Sequence, residues 1–357
     1  MKNYDYEEEF HAKDRKQFKK ERKIAQNTDR SKFKKTDLTE KAAEVPIEHL
    51  RRGRVIAITG EGAEIDFEGK IEICSLKGLL KKEMGRAKNL IAVGDWVRCC
   101  DDGAIQQIEP RSSMLARTDI SGMKEQLIAV NVDQVIISIS VVNPPLKPAL
   151  VDRYLIAAEK GNIHPIIAIN KIDLLSYELE KERVRYRDFL TAYESLGIPI
   201  LSLSVEKKIG LEALRSLLQN KTSVFSGQSG VGKSSLLNSC FDFQQKVGEL
   251  ATKTAKGTHT TTTAKLLLLP GGGYCVDTPG IRSFGIWNLS KTDLIAHFTD
   301  IAAFGKNCRY SNCDHIHEPE CAVEKALEKG TLASLRYESY VTLLEEISSG
   351  TKNRTWS

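Results

Sequence analysis

The octet Gly227-Gln228-Ser229-Gly230-Val231-Gly232-Lys233-Ser234 has the spacing G-x-x-x-x-G-K-[ST] of a phosphate-binding loop. A triphosphate is a dense anion, and a glycine-rich turn lets successive backbone N–H groups converge on its oxygens. A helix beginning at Lys233-Ser234-Ser235 adds the positive end of its dipole. In such a loop the lysine reaches the β- and γ-phosphates and the following hydroxyl, here that of Ser234, ligates Mg2+. Asp277-Thr278-Pro279-Gly280 follows the apolar run Tyr274-Cys275-Val276. A carboxylate at that strand end can hold a water of the same Mg2+, and the Gly280 N–H can meet the γ-phosphate. Alone, D-x-P-G is an ordinary turn; a phosphate loop upstream gives it chemical meaning. Between the two lies Gly257-Thr258-His259-Thr260-Thr261-Thr262-Thr263. A threonine of this run, Thr261 ahead of Thr260, is placed to give Mg2+ a second protein oxygen when the γ-phosphate is present. The bland alternative is a β-prone stretch leading into a strand at 264–269.

Asn170-Lys171-Ile172-Asp173 resembles the guanine-reading N-K-x-D box of GTPases. Asn170 bonds the base edge and supports the loop, Lys171 lays its alkyl stem on the ring, and Asp173 accepts from guanine N1–H and the 2-amino group. Adenine offers neither donor, and a buried acceptor left unpaired costs about 1–3 kcal/mol. Ser204-Val205, after the apolar run 198–203, brings a second loop whose backbone can meet guanine O6. In an ordinary GTPase the phosphate loop precedes the guanine box; in this chain it follows. Rotating the list (guanine box, second guanine loop, phosphate loop, threonine run, Mg2+ aspartate) restores the usual order with no part missing. A doubly wound sheet tolerates such a re-cut, because the termini of compact domains lie close together. The elements that must position these residues read as strands at 132–142, 165–169, 198–203, 222–226 and 274–276, with a helix at 211–218.

Cys308, Cys313, His315 and Cys321 have the spacing C-x4-C-x-H-x5-C. Three thiolates and one imidazole make a closed tetrahedral Zn2+ site of structural type, in a segment too short and polar to build a core of its own. His317 is the competing ligand. Cys74, Cys99, Cys100, Cys240 and Cys275 are scattered, as expected of reduced thiols in a cytoplasmic protein.

No run of the 357 residues is apolar enough to span a bilayer and none reads as a signal peptide. The formal net charge is only +5, but residues 13–35 carry eleven Lys or Arg against three acidic residues. That arm is too poor in apolar residues to fold alone and is suited to a phosphate backbone. Five short β-type runs between Arg51 and Arg111 predict a small barrel such as an OB-fold, a common RNA-binding module. Trp96 is expected in its core rather than on its face. At the other end, 322–327 and 332–347 read as helices, on which Arg336, Tyr337 and Tyr340 either present a nucleic-acid surface or pack.

Together these strings resemble the ribosome small-subunit-dependent GTPase A (RsgA, or YjeQ) family from about Arg51 to Ile347: Val93-Gly94-Asp95-Trp96-Val97, the guanine box, the phosphate loop, Gly257–Thr262, Asp277–Gly280, the Cys/His cluster with Glu318-Pro319, and Arg336-Tyr337-x-x-Tyr340. The resemblance implies a factor that binds the small ribosomal subunit and its rRNA, hydrolyses GTP to GDP faster on the subunit, and acts late in its assembly. Many GTPases place a glutamine after the D-x-x-G glycine to orient the attacking water. Ile281 stands there in this chain, and the resemblance assigns that task to His259. Val205 departs from the family, where alanine is common. The expected organisation is multi-domain α/β: a basic arm (1–48), an OB-like β-barrel (49–112), a circularly permuted P-loop GTPase domain (113–287) and a zinc-binding helical module (288–357). Monomer is the default state. The competing readings are a translation-associated GTPase on whole ribosomes, an ATPase of the same loop class, and an RNA-binding zinc protein with a degenerate nucleotide site.

Overall fold

β8 (Gln134–Ser140, QVIISIS) is buried at every position, the mark of a central strand covered on both faces. Its alternating side chains split between two cores: Val135, Ile137 and Ile139 belong to one and Ile136 to the other. The computed structural model describes residues 49–76, 90–118, 125–176, 180–241, 264–277 and 289–349; from Arg51 onward they belong to one compact unit. β8 is flanked by β9 (His164–Asn170), then β10 (Ile200–Ser202), on one side. On the other side lie β11 (Thr222–Ser226), β13 (Tyr274–Asp277) and β12 (Lys265–Leu268). β8, β9, β10, β11 and β13 are mutually parallel and β12 is antiparallel.

The connecting helices α1 (Pro148–Lys160) and α2 (Glu180–Glu194) bury Val151, Tyr154, Phe189 and Tyr193 in the first core. α3 (Leu211–Leu218) and α4 (Lys233–Phe241) bury Leu214, Leu218, Leu236 and Leu237 in the second. The helix after β8 therefore lies on one face and the helix after β11 on the other. The crevice between these adjacent strands is a topological switch point, where ligands bind in parallel α/β sheets.

The barrel expectation holds in pairing as well as in strand count. β1 (Arg51–Ile58), β2 (Ala63–Phe67) and β3 (Lys70–Leu76) form a meander. β3 runs parallel to β5 (Ala104–Ile108), which pairs with β4 (Trp96–Cys99), and β4 closes on β1. Val55, Ile65, Cys74, Val97, Cys99 and Ile105 fill the interior. Trp96 is half-buried rather than in that interior; the Arg52 guanidinium lies 3.9 Å from its ring centroid and that of Arg54 5.2 Å. The sequence reading missed the hairpin of β6 (Met114–Thr118) and β7 (Glu125–Val130), which comes between barrel and α/β sheet in chain order. A bridge at Ala57–Lys265 joins β1 to β12, so barrel and sheet are continuous.

The C-terminal portion contains α5 (Lys291–His297), α6 (Thr299–Gly305), α7 (Ala322–Glu328) and α8 (Ser334–Ser348). A reciprocal Ser290–Asp293 capping box starts α5. The core of this portion takes in Ile156 from α1. Arg336 and Tyr340 are 3 % and 2 % exposed, which decides for packing over a nucleic-acid surface.

Candidate nucleotide site and metal centre

The phosphate loop leaves β11 at Gly227, whose φ of 140° and closeness to β8 admit no side chain: a Cβ would stand 2.0 Å from the Ser138 carbonyl oxygen. Gly232 (φ 96°) is equally constrained, since a Cβ there would meet Asn170 Nδ2 at 2.5 Å. The second contact is informative, because Asn170 ends β9 in the other half of the sequence. Its amide Nδ2 donates to the Val231 carbonyl at 2.9 Å. Its Oδ1 is buried without a protein partner, an arrangement that carries a cost until a polar ligand edge meets it. Lys171 Nζ donates to the Gly230 carbonyl at 2.7 Å and also to the Asn143 carbonyl. Asp173 Oδ1 accepts from the Ser204 hydroxyl at 2.5 Å, and Ser204 Oγ accepts from the Lys207 N–H at 3.0 Å.

The guanine box, the Ser204-Val205 loop and the phosphate loop thus meet at the carboxyl edge of the sheet. Val205 packs on the second core beside Leu201 and Leu217. Lys233 Nζ donates to the Gly227 and Gln228 carbonyls at 2.7 and 2.9 Å, lying across the inside of its own loop. Ser229 and Gly230 at its lip, and Ser234 and Ser235 in the first turn of α4, are exposed. β13 ends at Asp277 beside β11. The Ser234 hydroxyl is a hard oxygen donor of the kind Mg2+ takes; the Asp277 side chain is not among those described. His259, Thr260, Thr261, Gly280 and Ile281 lie outside the described residues. Sequence reasoning did not find the 143–144 connection, which contacts Lys171 through the Asn143 carbonyl and is pinned by the Ser140 hydroxyl donating to the Pro144 carbonyl at 2.7 Å. A contact made by a backbone carbonyl leaves no side-chain signature to read.

Cys308, Cys313, His315 and Cys321 present four donor atoms that all lie within 4.8 Å of one another. A tetrahedral site with Zn–S near 2.3 Å and Zn–N near 2.05 Å has S···S edges of about 3.8 Å and S···N edges of about 3.55 Å. The observed edges are 3.9 Å for Cys308–Cys321, and 3.5 and 3.6 Å from His315 Nδ1 to Cys308 and Cys321. The donor set and these three edges fit a structural zinc, and His317, which is exposed, is no part of the cluster. Burial alone would raise the Glu318 carboxyl, but the N–H groups of Asp314, Ile316 and His317 more than offset it and hold it at about 2, so this carboxylate braces the turn that carries His315.

Strand order, phosphate loop and guanine box define a P-loop GTPase whose halves are exchanged along the chain. The family model described as RsgA GTPase matches residues 108–287. The small ribosomal subunit biogenesis GTPase RsgA 1 of Vibrio vulnificus is 37 % identical over 311 residues, which cover 86 % of this chain and 87 % of the relative. The Chlorobaculum parvum RsgA is 40 % identical over 273 residues, covering 72 % of this chain and 86 % of the relative. The crystal structure of YjeQ from Thermotoga maritima superposes with a TM-score of 0.66 at 34 % identity, over 84 % of this chain and 98 % of that one. YloQ, described as a circularly permuted GTPase, gives 0.63 at 28 % identity, over 88 % and 100 %. The chain belongs to the RsgA GTPase family and is a GTP hydrolase.

Proposed function

We propose that this GTPase binds the small ribosomal subunit and acts late in its assembly; its Vibrio and Chlorobaculum relatives carry the name small ribosomal subunit biogenesis GTPase. The observation that carries the nucleotide chemistry is the pair of bonds from Asn170 and Lys171 to the Val231 and Gly230 carbonyls, which bring base-reading and phosphate-binding segments to one cleft. In this reading Gly227 to Ser235 wrap the phosphates and Lys233 swings from its loop carbonyls to the β- and γ-oxygens. Ser234, Thr261 and Asp277 hold Mg2+, which neutralises charge on the transferred phosphoryl group, and the Gly280 N–H meets the γ-phosphate. Asp173, aligned by Ser204, reads guanine; the backbone at Ser204-Val205 faces O6. His259 orients the attacking water, because Ile281 has no group with which to do so. The barrel and the basic arm at 1–48 contact rRNA, and the protein works as a monomer.

Turnover of GTP and of ATP, measured alone, with free small subunits and with whole ribosomes, tests this. GTP hydrolysis should rise at least tenfold with free small subunits and ATP should not be turned over. Stimulation only by whole ribosomes would move the protein from assembly to translation. His259→Ala should bind a GTP analogue as wild type does yet lose the stimulated turnover; unchanged stimulation in that variant would remove His259 from the mechanism.

A further inference from the structure

α8 touches both the metal site and the GTPase core. The Tyr337 hydroxyl donates to the His315 carbonyl at 2.8 Å, and the Tyr340 hydroxyl to the Asp314 carbonyl at 3.2 Å, so both brace the backbone around a metal ligand. Arg336, in the same turn, donates from Nε and Nη2 to the two Asp300 oxygens at 2.8 and 3.1 Å, and from Nη1 to Asp152 of α1. Asp152 is 2 % exposed, and its other oxygen accepts from the Tyr193 hydroxyl at 2.7 Å. A fully buried ion pair is a poor means of adding stability, since an apolar pair of similar volume does as well or better; its best-attested use is to fix one arrangement of two elements. Arg153 of α1 pairs in addition with Glu346 of α8.

The other end of α1 leads to the nucleotide. Pro148 opens the helix directly after the 143–147 connection, whose Asn143 carbonyl holds Lys171, which also holds Gly230. Gln228 of the phosphate loop, Pro148 and Leu150 of α1, and Ser339 and Thr342 of α8 line a single cavity, so α8 stands one cavity's width from the loop.

We infer that Arg336 is a positioning residue for GTP hydrolysis: by locking α8 to α1 through Asp152, it couples the zinc module to Lys171 and the phosphate loop when the subunit is bound. The inference rests on the reading that the small subunit stimulates turnover. The zinc-loaded full chain is compared with an Asp152→Leu/Arg336→Met double variant, since Arg336→Met alone would strand a buried carboxylate and risk unfolding. Arg336→Lys serves as the conservative variant. Zinc per chain, melting temperature, binding to small subunits, and kcat and KM for GTP with and without subunits are measured. The double variant should keep its zinc, its subunit binding and, within threefold, its unstimulated turnover and KM. Its stimulated kcat should fall at least tenfold, with Arg336→Lys falling between it and wild type. Stimulated kcat within threefold of wild type would overturn the inference. So would loss of zinc or of subunit binding alongside lost stimulation, which would reduce Arg336 to a structural tie. Absence of stimulation in wild type would be seen separately, and would sink the functional reading together with this one.

Discussion

Asn170 reaches Val231 across 61 residues of chain, whereas Cys308 meets Cys321 across 13. Both contacts prepare a site for a charged ligand, but they draw their order from different sources. The nucleotide cleft stands on β8, β9 and β11, where Ile136, Ile137, Ile166 and Ile167 are each at most 1 % exposed. Each such side chain contributes about 1.5–3 kcal/mol by leaving water. The strands that carry the candidate cleft are therefore held by protein core alone. Between Lys306 and Glu320, by contrast, His315 alone is buried. A segment with so little apolar burial takes its folding energy from the metal. Ligand organises the second region; protein core organises the first.

The sharpest way to break that contrast is to remove the metal. Cys313→Ser should abolish zinc binding, worth about 10–16 kcal/mol in small zinc modules. Amides at 306–320 should then exchange freely while those of β8 and β11 stay protected. Equal protection of both regions would show that the zinc segment has a core of its own. Next in size, Lys233→Ala should lower GTP turnover about 10²–10³-fold, the usual loss when a preorganised charge leaves a transition state, with zinc content unchanged. Asp173→Asn should cut the preference for GTP over ATP about 10–100-fold, one or two acceptor bonds at about 1–3 kcal/mol each; an unaltered preference would mean the base is read elsewhere.

The smallest effect lies outside both regions. The Arg51 guanidinium, helped by Lys70, holds the Glu72 carboxyl at about 2, below its usual 4.5. A depressed carboxyl contributes stability that is present above the unfolded value and lost as pH falls toward the folded one. Glu72→Gln should therefore melt about 1 °C below wild type at pH 6, with the gap closing as pH drops from about 4.5 toward 2 and shrinking in high salt. A gap that is constant with pH would assign it to packing.

What could be read from the sequence follows the same division. Phosphate loop, guanine box and zinc spacing were legible because each is a local string of side chains whose chemistry needs those types at those intervals. The strands carrying them were legible because runs such as Val135-Ile136-Ile137 are buried on both faces. β6 and β7 escaped because they form a separate two-stranded sheet, with Met114 half exposed and an apolar run of only four residues, Leu127–Val130, in β7. Trp96 was misjudged because two arginines shield its ring in a half-buried position, which periodicity cannot foresee. The Asn143 carbonyl on Lys171 and the Arg336–Asp152 pair were invisible for a different reason. They join segments 28 and 184 residues apart, one through backbone and the other through Asp152, which stands in no local pattern.

The claim on which the rest depends is that one nucleotide lies between the 170–173 and 227–235 segments. A crystal structure of the full chain with a non-hydrolysable GTP analogue and Mg2+ tests it most directly. The account predicts guanine against Asp173 and Lys171, and the β- and γ-phosphates within hydrogen-bonding distance of Lys233 and the loop N–H groups. A base bound away from Asp173, with only the phosphates in the loop, would contradict it.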